Sequence, residues 1–372
     1  MDFAFSEAQE IFRRSLRDFL QHECPRTLVR EIEDKKLDHS AGLYEKLAQL
    51  GWLGLLIPEE YGGLGGDWID MAIFCEEAGR TLLPGPHFST VVLGAQALLA
   101  FGSEEQKASI LPRVASGEVI LALAATEPGG CDPALLAATA SPSGEDFVIE
   151  GTKLFVESAH LADYIITVAR VGSAPEGATL LLVPGKAHGV TVTTMETLGG
   201  VRLGEVRYER VRVPQGNVLG EVGGGGGITK ILDQAKVMTC AEMLGGAQAA
   251  LEMAVDYSKH RYAFGVPIGS FQALQHKMVG MLVAIEKARW ITYHAAWLNS
   301  QGLASARETA IACLRAGEAY RYATAEAIQV FGGSGCMEIH DIGLHYRKAK
   351  AAQLSLGFPD VHREKVAVSL GL

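Results

Sequence analysis

The period of the apolar residues changes twice along this chain, and those two changes limit what it can fold into. Up to about residue 118 apolar positions recur at helical spacing, as in Phe5, Ile11, Phe12, Leu16 and Phe19, and again over Leu43 to Leu56. Asp67 to Thr81 and Ser89 to Phe101 continue the pattern, and Ser103-Glu-Glu-Gln opens a further helix as a capping box. From residue 119 the chain turns to short β-rich runs separated by Gly, Pro and Ser: Val119 to Ala125, Asp146 to Phe155, Tyr164 to Ala169, Thr179 to Val183, and Val190 to Val213 with breaks. From Ile228 the helical period returns, with bodies near 228–259, 270–300, 306–331 and 338–353. The expected architecture is α+β: an N-terminal helical domain (1–118), a middle antiparallel β-barrel or sandwich domain (119–222) and a C-terminal helical bundle (223–372).

Composition narrows the function classes. With 48% hydrophobic and 20% charged residues, a chain of 372 residues forms packed cores and is not disordered. The balance of 33 basic and 43 acidic side chains, net −10, argues against nucleic acid as a partner while allowing a local basic site for an anionic cofactor. Six cysteines carry no C-x-x-C pair, so they read as reduced thiols, with no zinc site and no disulfide framework, and point to a cytoplasmic setting. The N-terminus mixes charges into its apolar period and reads as a first helix, not a signal peptide. No run of 18 uncharged apolar residues suggests membrane insertion.

One stretch carries residues that no core requires. Tyr257 to His276 ends a long helix with Arg261, Phe264 and Gly265, and Gln272, Gln275 and His276 follow where the next helix begins. A guanidinium, a stacking ring and a glycine turn are suited to a phosphate and a planar base, although a plain helix–turn–helix accounts for the same pattern. Two glycine-rich stretches read more simply. Gly62 to Gly66 lacks the lysine and serine of a P-loop and is expected to be an ordinary loop, and Gly223 to Gly227 a flexible joint.

The domain order, together with Thr126-Glu127-Pro128-Gly129, Arg261-x-x-Phe264-Gly265 and Gln329-x-x-Gly332-Gly333-x-Gly335, resembles the acyl-CoA dehydrogenases over essentially the whole chain. The resemblance implies a C-terminal four-helix bundle, FAD as cofactor, an acyl-CoA substrate, assembly as a homo- or hetero-oligomer (a dimer of dimers), and an electron-transferring flavoprotein as acceptor. It implies that Leu123, Ala125 and Thr126 meet the flavin ring and that Phe155 and Glu157 cover one of its faces. Arg261, Phe264, Gln272, Gln329, Gly332 and Gly333 would then hold the pyrophosphate and adenine end, on FAD bound mainly by a partner subunit. Cys131, Asp233 and Lys236 fall at substrate positions, Asp233 on the pantetheine arm.

The departures concern the chemistry. Such enzymes need a carboxylate to take the proton α to the thioester while the β-hydride goes to the flavin. Leu356 occupies the usual glutamate position and keeps only its backbone N–H for the thioester, and the alternative glutamate position reads Ala235. The flavin loop is shortened to Gly129-Gly130-Cys131-Asp132, and Phe155-Val156-Glu157 replaces a tryptophan-isoleucine-threonine run, placing a negative charge where a threonine donates. Glu242, two helical turns or roughly 10 Å beyond Ala235 and among apolar neighbours, is the substitute base, or else a structural acid paired with a lysine or arginine. Asp360, His362 and Glu364 are further options, with His362-Arg363-Glu364 expected on a solvated helix start, and His340 and His345 as surface residues.

Three readings stay open: a dehydrogenase with a displaced base, acting on a branched, cyclic or steroid-like acyl-CoA; a non-catalytic subunit completing FAD sites on a partner; or the same fold used for another flavin reaction. The small residues Gly245, Gly246 and Ala247 either widen the acyl cavity or let helices approach.

Overall fold

The computed structural model describes residues 4–37, 39–130, 136–172 and 177–372. The chain divides into two compact units and passes between them repeatedly: Met1–Lys35, Asp67–Leu83 and Asp233–Leu372 form one, Lys36–Gly66 and Pro84–Leu232 the other. The first unit holds α1 (Glu7–Glu23), α2 (Arg26–Asp34), α4 (Trp68–Thr81), most of α7 (Ile228–His260), α8 (Gln272–Ser300), α9 (Ala306–Phe331), α10 (Ile342–Ser355) and α11 (Pro359–Ser369). The second holds α3 (Ala41–Gln49), α5 (Ala95–Phe101) and α6 (Glu104–Ala115), with β1 (Leu121–Ala124), β2 (Thr139–Ser143), β3 (Asp146–Glu157), β4 (Tyr164–Arg170), β5 (Ala178–Pro184), β6 (Val190–Met195), β7 (Leu203–Pro214) and β8 (Val218–Leu219).

The strands form one sheet in the order β6-β7-β3-β2-β4-β5-β8, with β1 added beside β4. Most pairings are antiparallel, as the strand spacing implies, but β1 and β2 each run parallel to β4, so the sheet is mixed. The near-continuous apolar runs of β1, β4 and β5 follow from burial on both faces. Leu121, Leu123, Ile166, Val168, Leu180 and Leu182 enter a core with α5 and α6 residues, while Ala122, Ala124, Ile165, Ala169, Leu181 and Val183 enter a second core with Ile149, Val211 and Val213. Besides the two-residue β8, the strand that the apolar pattern misses is β2. Its Thr-Ala-Ser-Pro-Ser is polar and partly exposed, and it exists because Gly144, at φ +67°, turns it back onto β3.

Ser103 caps α6 as expected: Gln106 N–H donates to its Oγ (3.2 Å) and its own N–H donates to Gln106 Oε1 (2.8 Å). The Gly62–Gly66 stretch is an ordinary loop whose N–H groups are already used: Gly65 donates to the Ile57 carbonyl (2.9 Å) and Gly66 to that of Leu55 (2.8 Å). The Gly223–Gly227 run departs from the expected flexible joint. Gly225 is buried against Ala178 and Leu180, Gly227 abuts Phe101, and Gly223 N–H donates to Thr179 Oγ1 (2.9 Å). These glycines permit close approach rather than slack.

In the first unit α4 crosses α7 at two glycines. A methyl group on Gly79 would collide with the Glu242 carbonyl, one on Gly245 with the Glu76 carbonyl, and one on Gly246 with the Tyr320 ring. Gly245 and Gly246 therefore serve helix approach, and do not widen a cavity. The same crossing buries two acids that helical periodicity leaves without a role. Glu76 accepts from Arg289 and from Tyr293 Oη (2.8 Å), and Glu77 accepts from the Nε of Arg13 (3.3 Å) and of Arg17 (3.0 Å). An acid so buried survives only with such partners. No described helix is long and apolar enough to cross a membrane.

Candidate active site and cofactor-binding elements

In the second unit, β1 delivers Leu123 and Ala125, both buried, and Thr126, half-buried, to the edge of the sheet. The next residue anchors this edge. Glu127 accepts from Lys153 Nζ (2.6 Å) and from the N–H groups of Ala137 (2.6 Å) and Ala138 (3.0 Å). Burial pushes its carboxyl up, but these donors outweigh it and hold the pKa below the usual carboxylate range. The Leu154 N–H donates to the Thr126 carbonyl (2.9 Å), so the ion pair fixes Thr126 beside the next residue of β3, Phe155.

Phe155 sits where the β3–β7 register shifts, between Lys153 and Val156, with φ +56° and its ring 58% exposed. A phenylalanine in the left-handed region is strained by about 1–3 kcal/mol. More than half of the residue is exposed, so burial offsets that strain only in part. Glu157, half-buried, follows and pairs with Leu203. Cys131 lies outside the described residues.

In the first unit a second phenylalanine repeats this combination. After α7, Tyr262–Ala263 and Val266–Pro267 pair as a two-residue hairpin whose turn is Phe264-Gly265, with φ +53° and +82°. Both positions need positive φ, which favours Asn-Gly, and Phe264 is nevertheless there and 96% exposed. Arg261 closes α7, donating its N–H to the Tyr257 carbonyl (2.9 Å), and is itself exposed, as is Gln272 at the start of α8.

Tyr257 joins the two motifs: its ring stacks on Phe331 (4.1 Å between centroids) and its hydroxyl meets Ser334 Oγ (3.1 Å). The Gln329–Gly333 stretch at the end of α9 is thereby held near the end of α7. Gln329 is exposed, and Gly332 ends the helix at φ +64°, ψ −146°, a conformation open essentially to glycine alone. An exposed arginine, an exposed ring and an open glycine turn on one unit suit the phosphate and base of a dinucleotide, and the strained ring beside Thr126 on the other suits a flat aromatic. The residues fit FAD.

The base region also lies within the first unit. Leu356 is buried and caps α10, and its N–H donates to the Ala352 carbonyl (3.2 Å). It is thus not the free thioester donor that the resemblance implies, because the helix has already used it. Ala235 is buried on α7 between Asp233 and Lys236, which pair with each other (2.7 Å). Glu242, expected in a dry environment, is half-buried and lines a cavity of about 20 Å³, room for one water, with Ala78, Gly79, Leu82, Leu83, Met243, Tyr320, Lys348 and Ala352.

Two histidines expected at the surface are buried. His345 is fully enclosed, with Nδ1 against Tyr320 Oη (3.0 Å), and burial pushes its pKa well down. His362, 3% exposed, turns inward from α11 and binds the Leu356 carbonyl through Nε2 (2.9 Å). The surrounding Asp360, Arg363 and Glu364 are exposed, which is why the segment reads as solvated in sequence. His340 is half-buried against the Tyr257 and Phe331 rings.

Models of the acyl-CoA dehydrogenase N-terminal, middle and C-terminal domains match residues 6–118, 122–211 and 223–371. The chain is 35% identical over 381 residues to "Probable acyl-CoA dehydrogenase YngJ" of Bacillus subtilis (strain 168), covering 100% of both chains. It superposes on the butyryl-CoA dehydrogenase of Megasphaera elsdenii with a TM-score of 0.93 at 30% identity, covering 100% of each chain. Against the ChsE4–ChsE5 complex of Mycobacterium tuberculosis the TM-score is 0.91 at 25% identity, over 100% of this chain and 99% of that one. With its helical, β and helical segments all matched in order, the chain belongs to the acyl-CoA dehydrogenase family of FAD-binding oxidoreductases.

Proposed function

We propose that the chain carries out FAD-dependent α,β-dehydrogenation of a branched, cyclic or steroid-like acyl-CoA, with the domain division 1–118, 119–222 and 223–372. The observation that carries the FAD assignment is the pair of exposed, left-handed phenylalanines, Phe155 and Phe264, each at a position where the family meets the cofactor. FAD, when bound, supplies the hydride acceptor. Around it Leu123, Ala125, Thr126, Phe155 and Glu157 would take the flavin, and Arg261, Phe264, Gln272, Gln329, Gly332 and Gly333 the pyrophosphate and adenine. Asp233, Lys236 and Cys131 would face the CoA arm. A bulky apolar acyl group suits a site in which both usual glutamate positions are apolar, Ala235 and Leu356, both buried.

A second reading is favoured by one observation. The Arg261–Phe264 grip stands almost wholly outside its own unit, as it would if it completed FAD held by another subunit. The ChsE4–ChsE5 relative is a complex of two different chains, so a heteromeric assembly belongs to this reading. An electron-transferring flavoprotein is the proposed acceptor. The five described cysteines are unpaired thiols, in keeping with a cytoplasmic setting.

The experiment is to purify the chain alone and assay it with an artificial electron acceptor. A yellow protein that oxidises acyl-CoAs supports the dehydrogenase and ends the partner-subunit reading. A colourless, inert chain that gains activity only with a homologous subunit does the reverse.

A further inference from the structure

We infer that His362 takes the α-proton of the substrate in place of the missing glutamate. The inference rests on the dehydrogenase reading above.

The local chain path brings the imidazole there. α10 stops at Ser355, Leu356 caps it, and Gly357 at φ +98° reverses the chain before Pro359 opens α11. On the first turn of that helix His362 points back to Leu356, the family's usual base position. The charges of Lys236 and Asp233, which flank Ala235, act on its ionisation in opposite directions. One buried imidazole thus lies beside Leu356, a place from which the carboxylate has gone.

Its tautomer follows from its partner. A carbonyl oxygen can only accept, so the bond to Leu356 puts the proton on Nε2 and leaves the lone pair on Nδ1. That nitrogen is buried and has no hydrogen-bond partner in the protein. An orphaned buried acceptor is costly, and a site that keeps one usually brings it a proton donor. Burial favours the neutral ring and outweighs the bond to the Leu356 carbonyl, which opposes it; Lys236 and Lys365 act with burial and Asp233 against it, so the pKa falls below its ordinary value and the base is in its working form.

In the step itself the substrate's α C–H bond breaks and its proton goes to Nδ1 of His362. The electron pair left on the α-carbon becomes the second bond to the β-carbon. The β-hydrogen would leave with its own pair as hydride, for which bound FAD would supply the two-electron acceptor.

The test uses holoprotein, with butyryl-, isobutyryl- and cyclohexanecarbonyl-CoA as probes. It measures α-hydrogen exchange with D2O by mass spectrometry under anaerobic conditions, and turnover with an artificial acceptor. His362→Gln can still donate to the Leu356 carbonyl but cannot act as a base, so it should lose about 100-fold or more in both readouts. FAD content and acyl-CoA affinity should stay within about threefold. His362→Phe, which also lacks the bond, should lose exchange too and in addition melt earlier. If the wild type turns over and His362→Gln keeps its exchange and rate within about threefold, the inference is overturned while the dehydrogenase reading stands. Loss in Glu242→Gln alone moves the base to Glu242 and overturns it equally. A wild-type protein inert toward all three probes overturns both.

Discussion

The hairpin after α7 and the joint between α10 and α11 belong to one unit and are built in opposite ways. At the hairpin, Phe264 is 96% exposed and strained, with an edge contact to the Phe271 ring (6.2 Å between centroids), and Arg261 and Gln272 stand out beside it. At the joint, Leu356 and His362 are 4% and 3% exposed, and their contact is made inside the chain. On the proposed reading, one is half of a contact that a cofactor completes. The other is complete apart from a single nitrogen. The proposed function thus assigns binding and proton transfer to separate elements, with the family pattern kept at the first and the usual glutamate replaced by Leu356 at the second.

The largest expected effect separates the two directly. His362→Gln should lower turnover by about 10²–10⁴-fold with FAD content unchanged, whereas Arg261→Ala should lower FAD retention and leave the rate per bound flavin far less affected. If both variants lose FAD in parallel, the two elements are not separable and the comparison fails.

A second variant sharpens the same point. Leucine and glutamate are similar in volume, so Leu356→Glu in the His362→Gln background restores a carboxylate at the family's usual position without opening a cavity. It should recover at least about tenfold of the lost rate, measured as single-turnover flavin reduction. No recovery in a folded, yellow protein would mean that position 356 no longer faces the substrate.

The contrast also explains what the sequence made legible. Arg261, Phe264 and Gly265 could be picked out because no core requires that combination at a helix end, and the hairpin sets a phenylalanine where a turn prefers asparagine. The helical–β–helical order was legible because apolar period alone decides it. His362 was not, because its neighbours Arg363, Glu364 and Lys365 describe a solvated helix, and only the reversal at Gly357 aims this one side chain inward. Glu76 and Glu77 were equally silent: their partners Arg13, Arg17 and Arg289 come from distant helices. The Gly223–Gly227 run misled for the opposite reason, since composition does not say whether a glycine gives slack or close approach.

At the hairpin the trade between binding and stability can be measured. Phe264→Asn places the residue best suited to the positive φ, so the FAD-free protein should gain about 1 kcal/mol in denaturant unfolding. The lost ring should weaken FAD by roughly 1–2 kcal/mol, seen as a five- to thirtyfold rise in Kd. A variant that loses stability instead would show that Phe264 is a structural residue after all, and would remove the main contrast with the joint.

The smallest effect, and the most specific, is the response to acid. Burial lowers the pKa of His362 from its ordinary 6.5, and lowers that of His345 further. In the window just below 6.5 the unfolded chain therefore binds protons that the folded chain refuses. Stability is fully present above the ordinary histidine pKa and is lost as pH falls through that window, levelling off for each residue once its folded value is passed. Each histidine contributes at most about 1.4 kcal/mol per pH unit, so His362→Gln should make the slope of unfolding free energy against pH shallower by up to that amount, leaving the His345 contribution in place. Turnover should follow the same ionisation, rising with pH as His362 loses its proton, with a midpoint below the ordinary 6.5. The hairpin variant Phe264→Asn removes no titrating group and should keep the wild-type slope. If His362→Gln also keeps that slope, His362 is not a neutral buried imidazole, and the joint no longer supplies a base that the hairpin lacks.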